Sequence, residues 1–146
     1  MKIIKFLFKI LVLAIIGYLV FYWYNNAIVS KKQKELNNLS TNVVENFYSQ
    51  LSLNEKDLLS NDEYLDIAIF TDNLKTKLTR QLKTDPQYNF IICEYDYPSS
   101  FNVVIKEEYL NKNIYTISSD FTNHSFEVTS VKKDNNWYID NINCKN

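Results

Sequence analysis

Residues 10–24, ILVLAIIGYLVFYWY, run fifteen positions without a charge, with Lys2, Lys5 and Lys9 ahead of them. A core helix of a soluble protein is apolar along one stripe, whereas this stretch is apolar on nearly every face. Residues 3–24 span ~33 Å at about 1.5 Å per residue, enough to cross a bilayer. The three lysines are three and four positions apart, so they share one helical stripe and reach the same headgroup layer. Tyr18, Phe21, Tyr22, Trp23 and Tyr24 make the aromatic belt expected where a span leaves the membrane. The competing reading is a cleaved signal peptide, but neither a small-x-small cleavage site nor a lipidation cysteine follows the run. Residues 1–29 are therefore expected to be a retained single-span anchor and residues 30–146 a domain.

Lys31, Lys32 and Lys34 balance the lysines before the span, so charge bias does not set the orientation. A short basic region before a first apolar run is how signal anchors begin. The expected arrangement is a single pass through the inner (cytoplasmic) membrane, with the C-terminal domain in the periplasm or outside.

The net charge of −1 hides an asymmetry. Residues 1–35 hold six lysines against Glu35, which leaves ten basic and sixteen acidic side chains in the rest. Phosphate backbones need clustered Lys and Arg, so nucleic acid is not an expected partner. A chain of 146 residues with 46% hydrophobic side chains has room for one domain with a proper core. Its single glycine, Gly17, lies in the anchor and leaves no glycine-rich phosphate loop.

Beyond the anchor the apolar period changes once. Leu36, Leu39, Val43, Phe47 and Leu51, widened by Val44 and Tyr48, predict an amphipathic helix over 31–51 that continues from the span. Ser52 and Glu55 have capping-box spacing for a short helix through Leu59. Ile67, Phe70, Leu74, Leu78 and Leu82 predict a further helix, ended by Asp85-Pro86. After that point apolar residues alternate: Phe101, Val103 and Ile105; Tyr115, Ile117 and, beyond Ser119, Phe121; Phe126 and Val128; Trp137 and Ile139. Polar segments of hairpin length separate these runs at 111–113, 122–124 and 134–136. A short strand at 90–95 is a possible addition. Helices followed by an antiparallel meander make an α+β domain, with Phe47, Leu74, Leu78 and Trp137 expected in one core.

A helix carrying Val44-Glu45-Asn46-Phe47-Tyr48, then short helices, then a meander ending in Trp137-Tyr138-Ile139-Asp140-Asn141-Ile142, resembles the nuclear-transport-factor-2-like superfamily. Within it the chain is similar to bacterial membrane-anchored envelope domains of unknown function. A V-x-x-F-Y helix and a terminal W-x-I-D-x-I strand bracket those domains, and a cysteine before an acidic, proline-containing segment recurs, here Cys93-Glu94-Tyr95-Asp96-Tyr97-Pro98. The resemblance covers about residues 40–144 and implies a curved sheet wrapped around helices as a cone. Members include enzymes, ligand binders, secretion scaffolds and toxin-immunity proteins, so it does not select an activity.

Cys93 precedes the meander and Cys144 ends it. In an oxidising compartment the two are expected to pair and tie the last strand to the start of the sheet; two unrelated buried thiols are the alternative. Catalytic features are sparse. His124 is the only histidine, four residues after Asp120 across a polar turn, a setting where histidines are usually exposed and idle. One histidine and two distant cysteines do not compose a metal site. No catalytic, cofactor or metal residues are assigned.

Between Lys56 and Lys75 stand Asp57, Asp62, Glu63, Asp66 and Asp72 without a basic residue. Such a run is most often a solvated face. Its functional reading is a surface of Asp57, Asp62, Glu63 and Asp66 for a basic protein partner, with Tyr64 and Phe70 as apolar anchors. Three functions follow as expectations. The first is a membrane-anchored extracytoplasmic binding module with a toxin-immunity or other envelope protein-binding role. The second is a structural subunit of an envelope or secretion assembly. The third is a small-ligand-binding or enzymatic cone domain.

Overall fold

The computed structural model describes residues 2–54, 58–59, 62–120 and 124–144, with the backbone alone at 2–12 and 54. The chain packs as two compact units, Met1–Leu36 and Asn37–Asn146. In the first, helix α1 (Lys2–Asn54) begins, and every side chain from 13 to 29 is exposed. These include Leu19, Val20, Phe21, Trp23 and Tyr24, and Tyr18 stacks on Tyr22 with centroids 6.4 Å apart. Apolar residues left exposed along a helix suit a lipid surround, and α1 is long and apolar enough to cross a membrane once.

The second unit is α+β. The C-terminal part of α1 leads through a 3-10 turn at Glu63–Asp66 to helix α2 (Asp72–Leu82). Four strands follow, β1 (Phe101–Glu108), β2 (Lys112–Ser119), β3 (Ser125–Lys133) and β4 (Asn136–Asn143). They form one antiparallel meander in sequential order. Asp134 and Asn135 turn the last hairpin with φ of 48° and 66°, the pair of left-handed residues that a two-residue turn requires and Asp and Asn tolerate. Irregularities at Lys106 in β1 and Asp140 in β4 insert one residue each, which bends the sheet.

The inward face carries Tyr115 and Ile117, Phe126 and Val128, and Ile139 and Ile142, which pack with Val44, Tyr48, Leu51, Leu74 and Leu78 in one core. Phe47 lies at its margin. Trp137 is buried, 5% exposed, but lies outside that cluster, and its indole N–H has no acceptor among the described residues. The expected single core therefore holds for the two leucines, with Phe47 at the edge and Trp137 apart. Its position explains this: Trp137 pairs with Lys132 at the turn end of the last hairpin, beyond the apolar rows.

Three local expectations are corrected. Ser52 is not a cap but lies inside α1, where its hydroxyl donates to the Ser49 carbonyl. Helix α2 excludes Ile67 and Phe70. Thr71 starts it by accepting from the Leu74 N–H, while Phe70 bridges to Ile139 of β4. Residues 90–95 form a turn rather than a strand, closed by the single bridge Asn89 to Glu94. The Asn89 side chain accepts from the Ile91 and Ile92 N–H groups and supplies what a ladder would have.

Candidate functional site

The site begins with how α1 is rotated. Apolar spacing turns Leu36, Leu39, Val43, Phe47 and Leu51 toward the sheet, with Val44 and Tyr48 at the side of the stripe. The buried seam keeps Val44, Tyr48 and Leu51 but continues through Asn37 and Ser40, and Leu39 is 50% exposed. A chain of buried hydrogen bonds sets this rotation. Tyr115 donates to Ser40 Oγ at 2.6 Å, Ser40 and Ser130 hydroxyls are 2.6 Å apart, and Asn113 donates to Asn37 Oδ1 at 3.4 Å. Asn37 Nδ2 in turn donates to Glu108 at 2.7 Å. Satisfied polar groups are cheap to bury, and each would be costly if the helix turned and left it without its partner.

The rotation leaves Val43 and Phe47 facing sideways, and they form one wall of a groove of about 480 Å³. Leu58, Ile67, Ala68 and Ile69 form the other. Asn46 and Gln50 add polar groups from α1. The second wall is held to the sheet edge: Ile139 N–H donates to the Ile69 carbonyl at 2.8 Å, and Thr71 N–H donates to the Ile139 carbonyl at 3.0 Å. Phe47 meets Phe70 edge to face at 5.1 Å, which ties the α1 wall to the segment that carries the second wall. The walls are thus built on a helix and a paired segment, which suits a preformed site.

The acidic stretch adjoins this wall. Asp62 and Asp66 are exposed and Glu63 is half-buried on the 3-10 turn that leads directly into Ile67. Asp57 lies outside the described residues. Tyr64 and Phe70 are not surface anchors: they are 1% and 3% exposed, in the core. The Tyr64 hydroxyl bonds Thr79 at 2.8 Å, and Phe70 packs on Phe47. Burial of these two rings is what holds the acidic turn against α2 and β4. The apolar part of the candidate surface is the groove, which apolar spacing could not reveal because that spacing puts Ile67 in a helix, whereas α2 begins only after Thr71.

Cys93 and Cys144 are joined, Sγ to Sγ, with Cα atoms 5.2 Å apart. The bond ties the turn after α2 to the end of β4. No free cysteine remains among the described residues.

His124 is exposed. The Asp120 carboxylate accepts from the Ser99 hydroxyl and from the Ser100 N–H, and these bonds hold its pKa below the usual range. That is the setting of a loop brace. Of the groups in the core, Tyr48 has its phenol pKa pushed well up by burial, and its hydroxyl donates to the Ile91 carbonyl at 3.0 Å. A phenol made less acidic and bonded to a carbonyl is a structural strut. No group of three or more metal-ligating side chains occurs among the described residues.

The arrangement as a whole is an apolar groove beside a carboxylate-bearing turn. No family model matches this chain, and no curated protein or solved structure matches it significantly.

Proposed function

We infer that the protein is a membrane-anchored, extracytoplasmic binding module. Its partner inserts apolar side chains into the groove beside α1 and sets basic side chains against Asp62, Glu63 and Asp66. The observation that carries this reading is the union of the two features, because an apolar anchor pocket with a charged border is the usual anatomy of a protein interface. The apolar helix and the disulfide support a domain on the oxidising side of a cytoplasmic membrane. A secreted toxin or another envelope protein is the partner class that meets a domain so placed. A groove of this volume also lies within the range of small-molecule sites, so an apolar ligand is the second reading.

Topology is checked first. Protease added to intact spheroplasts is expected to remove the domain, and a domain protected until lysis would reverse the orientation.

Crosslinked pull-down of the anchored protein then yields the partner, and binding kinetics test the surface. Charge reversal at Asp62, Glu63 and Asp66 together is expected to lower the association rate about tenfold at low salt, a difference that added salt removes by screening. Ala68→Glu, at an exposed position in the groove wall, should raise the dissociation rate about tenfold or more. Rates unchanged in both variants would dismiss this surface. Loss of small-molecule binding in Ala68→Glu, with no protein partner captured, would favour the second reading.

A further inference from the structure

On the turn between α2 and β1 three tyrosines line a second concavity, which shares no lining residue with the groove. Tyr88, Tyr95 and Tyr97 surround about 160 Å³, with Pro86 and Leu59 completing the wall. The Tyr88 and Tyr95 rings stand nearly perpendicular, 78° apart, with centroids at 5.0 Å. Each hydroxyl is tethered in the fold. Tyr88 donates to the Cys93 carbonyl at 2.5 Å, Tyr95 donates to Asp85 Oδ2 at 3.2 Å, and Tyr97 accepts from Asn89 Nδ2 at 2.8 Å. The backbone beneath is equally tied: Asp85 Oδ1 accepts from the Gln87 and Tyr88 N–H groups, and the disulfide starts at Cys93. The rings are held in place before any ligand arrives.

The segment that carries the rings is acidic. Residues 84–105 contain Asp85, Glu94 and Asp96 and no Lys, Arg or His. Aromatic faces carry negative potential, so carboxylates behind them add to the attraction for a cation that the rings can touch. A small hydrated cation gains little from such a wall, whereas an onium group with methyl-covered charge satisfies both its apolar surface and its electrostatics. Size agrees. At about 30 Å³ for each water displaced, the concavity holds roughly five heavy atoms, the number in a tetramethylammonium ion. With ring centroids 5.0 Å apart, a cation lodged in the corner lies within the ~6 Å reach of both rings.

We propose that Tyr88, Tyr95 and Tyr97 form a binding site for a quaternary ammonium group of the choline type. This site is independent of the groove, and its failure would leave the binding-module reading untouched.

The test uses the full chain in maltoside micelles, which carry no onium group, titrated with tetramethylammonium and choline and followed by the ligand methyl proton resonance. Binding is expected to saturate and to shift that resonance upfield, the signature of methyl groups over ring faces. The neutral isostere 3,3-dimethylbutanol should bind at least about tenfold more weakly. Tyr95→Leu, at a ring 64% exposed, should keep the fold and weaken choline about tenfold, whereas Tyr95→Phe keeps the face and should retain most of the affinity. Glycerophosphocholine distinguishes the source: binding equal to that of choline assigns a lipid-type headgroup, and weaker binding assigns a free onium solute. Equal affinity for the neutral isostere, no upfield shift, or an unchanged Tyr95→Leu would overturn the proposal.

Discussion

Replacing both cysteines by alanine is expected to destabilise the domain by about 4 kcal/mol. The bond closes a loop with a sequence separation of 51, and loop-closure entropy for about 50 residues gives ~4 kcal/mol in the chain-entropy estimate. Denaturant titration of the full chain in detergent micelles, with Trp23 replaced by Phe so that Trp137 alone fluoresces, measures the loss. A second comparison separates crosslink from backbone. Cys93 sits at φ 58°, a left-handed conformation in which a side chain is strained and glycine is not. Cys93→Gly with Cys144→Ala should therefore be about 1 kcal/mol more stable than the double alanine variant. A double variant as stable as the parent would mean that the turn at 85–98 is held by its own hydrogen bonds and the bridge adds nothing.

Tyr48→Ala is expected to cost about 3–5 kcal/mol. The ring is fully buried and meets Phe47 and Phe101 at 5.1 Å and Phe126 at 5.7 Å, joining α1 to β1 and β3. Native domains have about 5–15 kcal/mol in total, so this single change takes a large share. Tyr48→Phe keeps the packing but leaves the buried Ile91 carbonyl without its donor, at about 1–3 kcal/mol. The pH dependence gives an independent check. Burial raises the phenol pKa in the fold, so the folded state retains a proton that the unfolded chain releases above about pH 10. Stability from this residue is intact below that pH and is lost as pH rises further. Tyr48→Phe should flatten the alkaline fall in the unfolding midpoint; an unaltered slope would mean that Tyr48 is solvated.

Features that depend on local period were legible in the residues. The apolar stretch at 3–24, interrupted only by Lys5 and Lys9, specifies a membrane-length helix because no aqueous packing satisfies apolar side chains on every face. Alternation after Pro86 and polar breaks of hairpin length specify a meander, because successive strand side chains point to opposite faces. Two cysteines in a domain expected in an oxidising compartment were enough to anticipate the bridge, but not its geometry: β4 lies at the sheet edge opposite β1, and it is the turn after α2 that brings Cys93 to it.

Only the tertiary structure decided which face of α1 is inside. Hydrophobic spacing counts Leu39 as core and Ser40 as surface, yet Ser40 is buried because Tyr115 and Ser130, 75 and 90 residues away, satisfy its hydroxyl. That turn of the helix frees Val43 and Phe47 to make the groove. It was equally invisible that Tyr64 and Phe70 would be drawn inward and leave Asp62 and Asp66 outside, because both rings are buried against elements distant in sequence. Solvent exposure of each residue in a polar-lined core depends on partners brought together by folding, and local spacing carries no record of them.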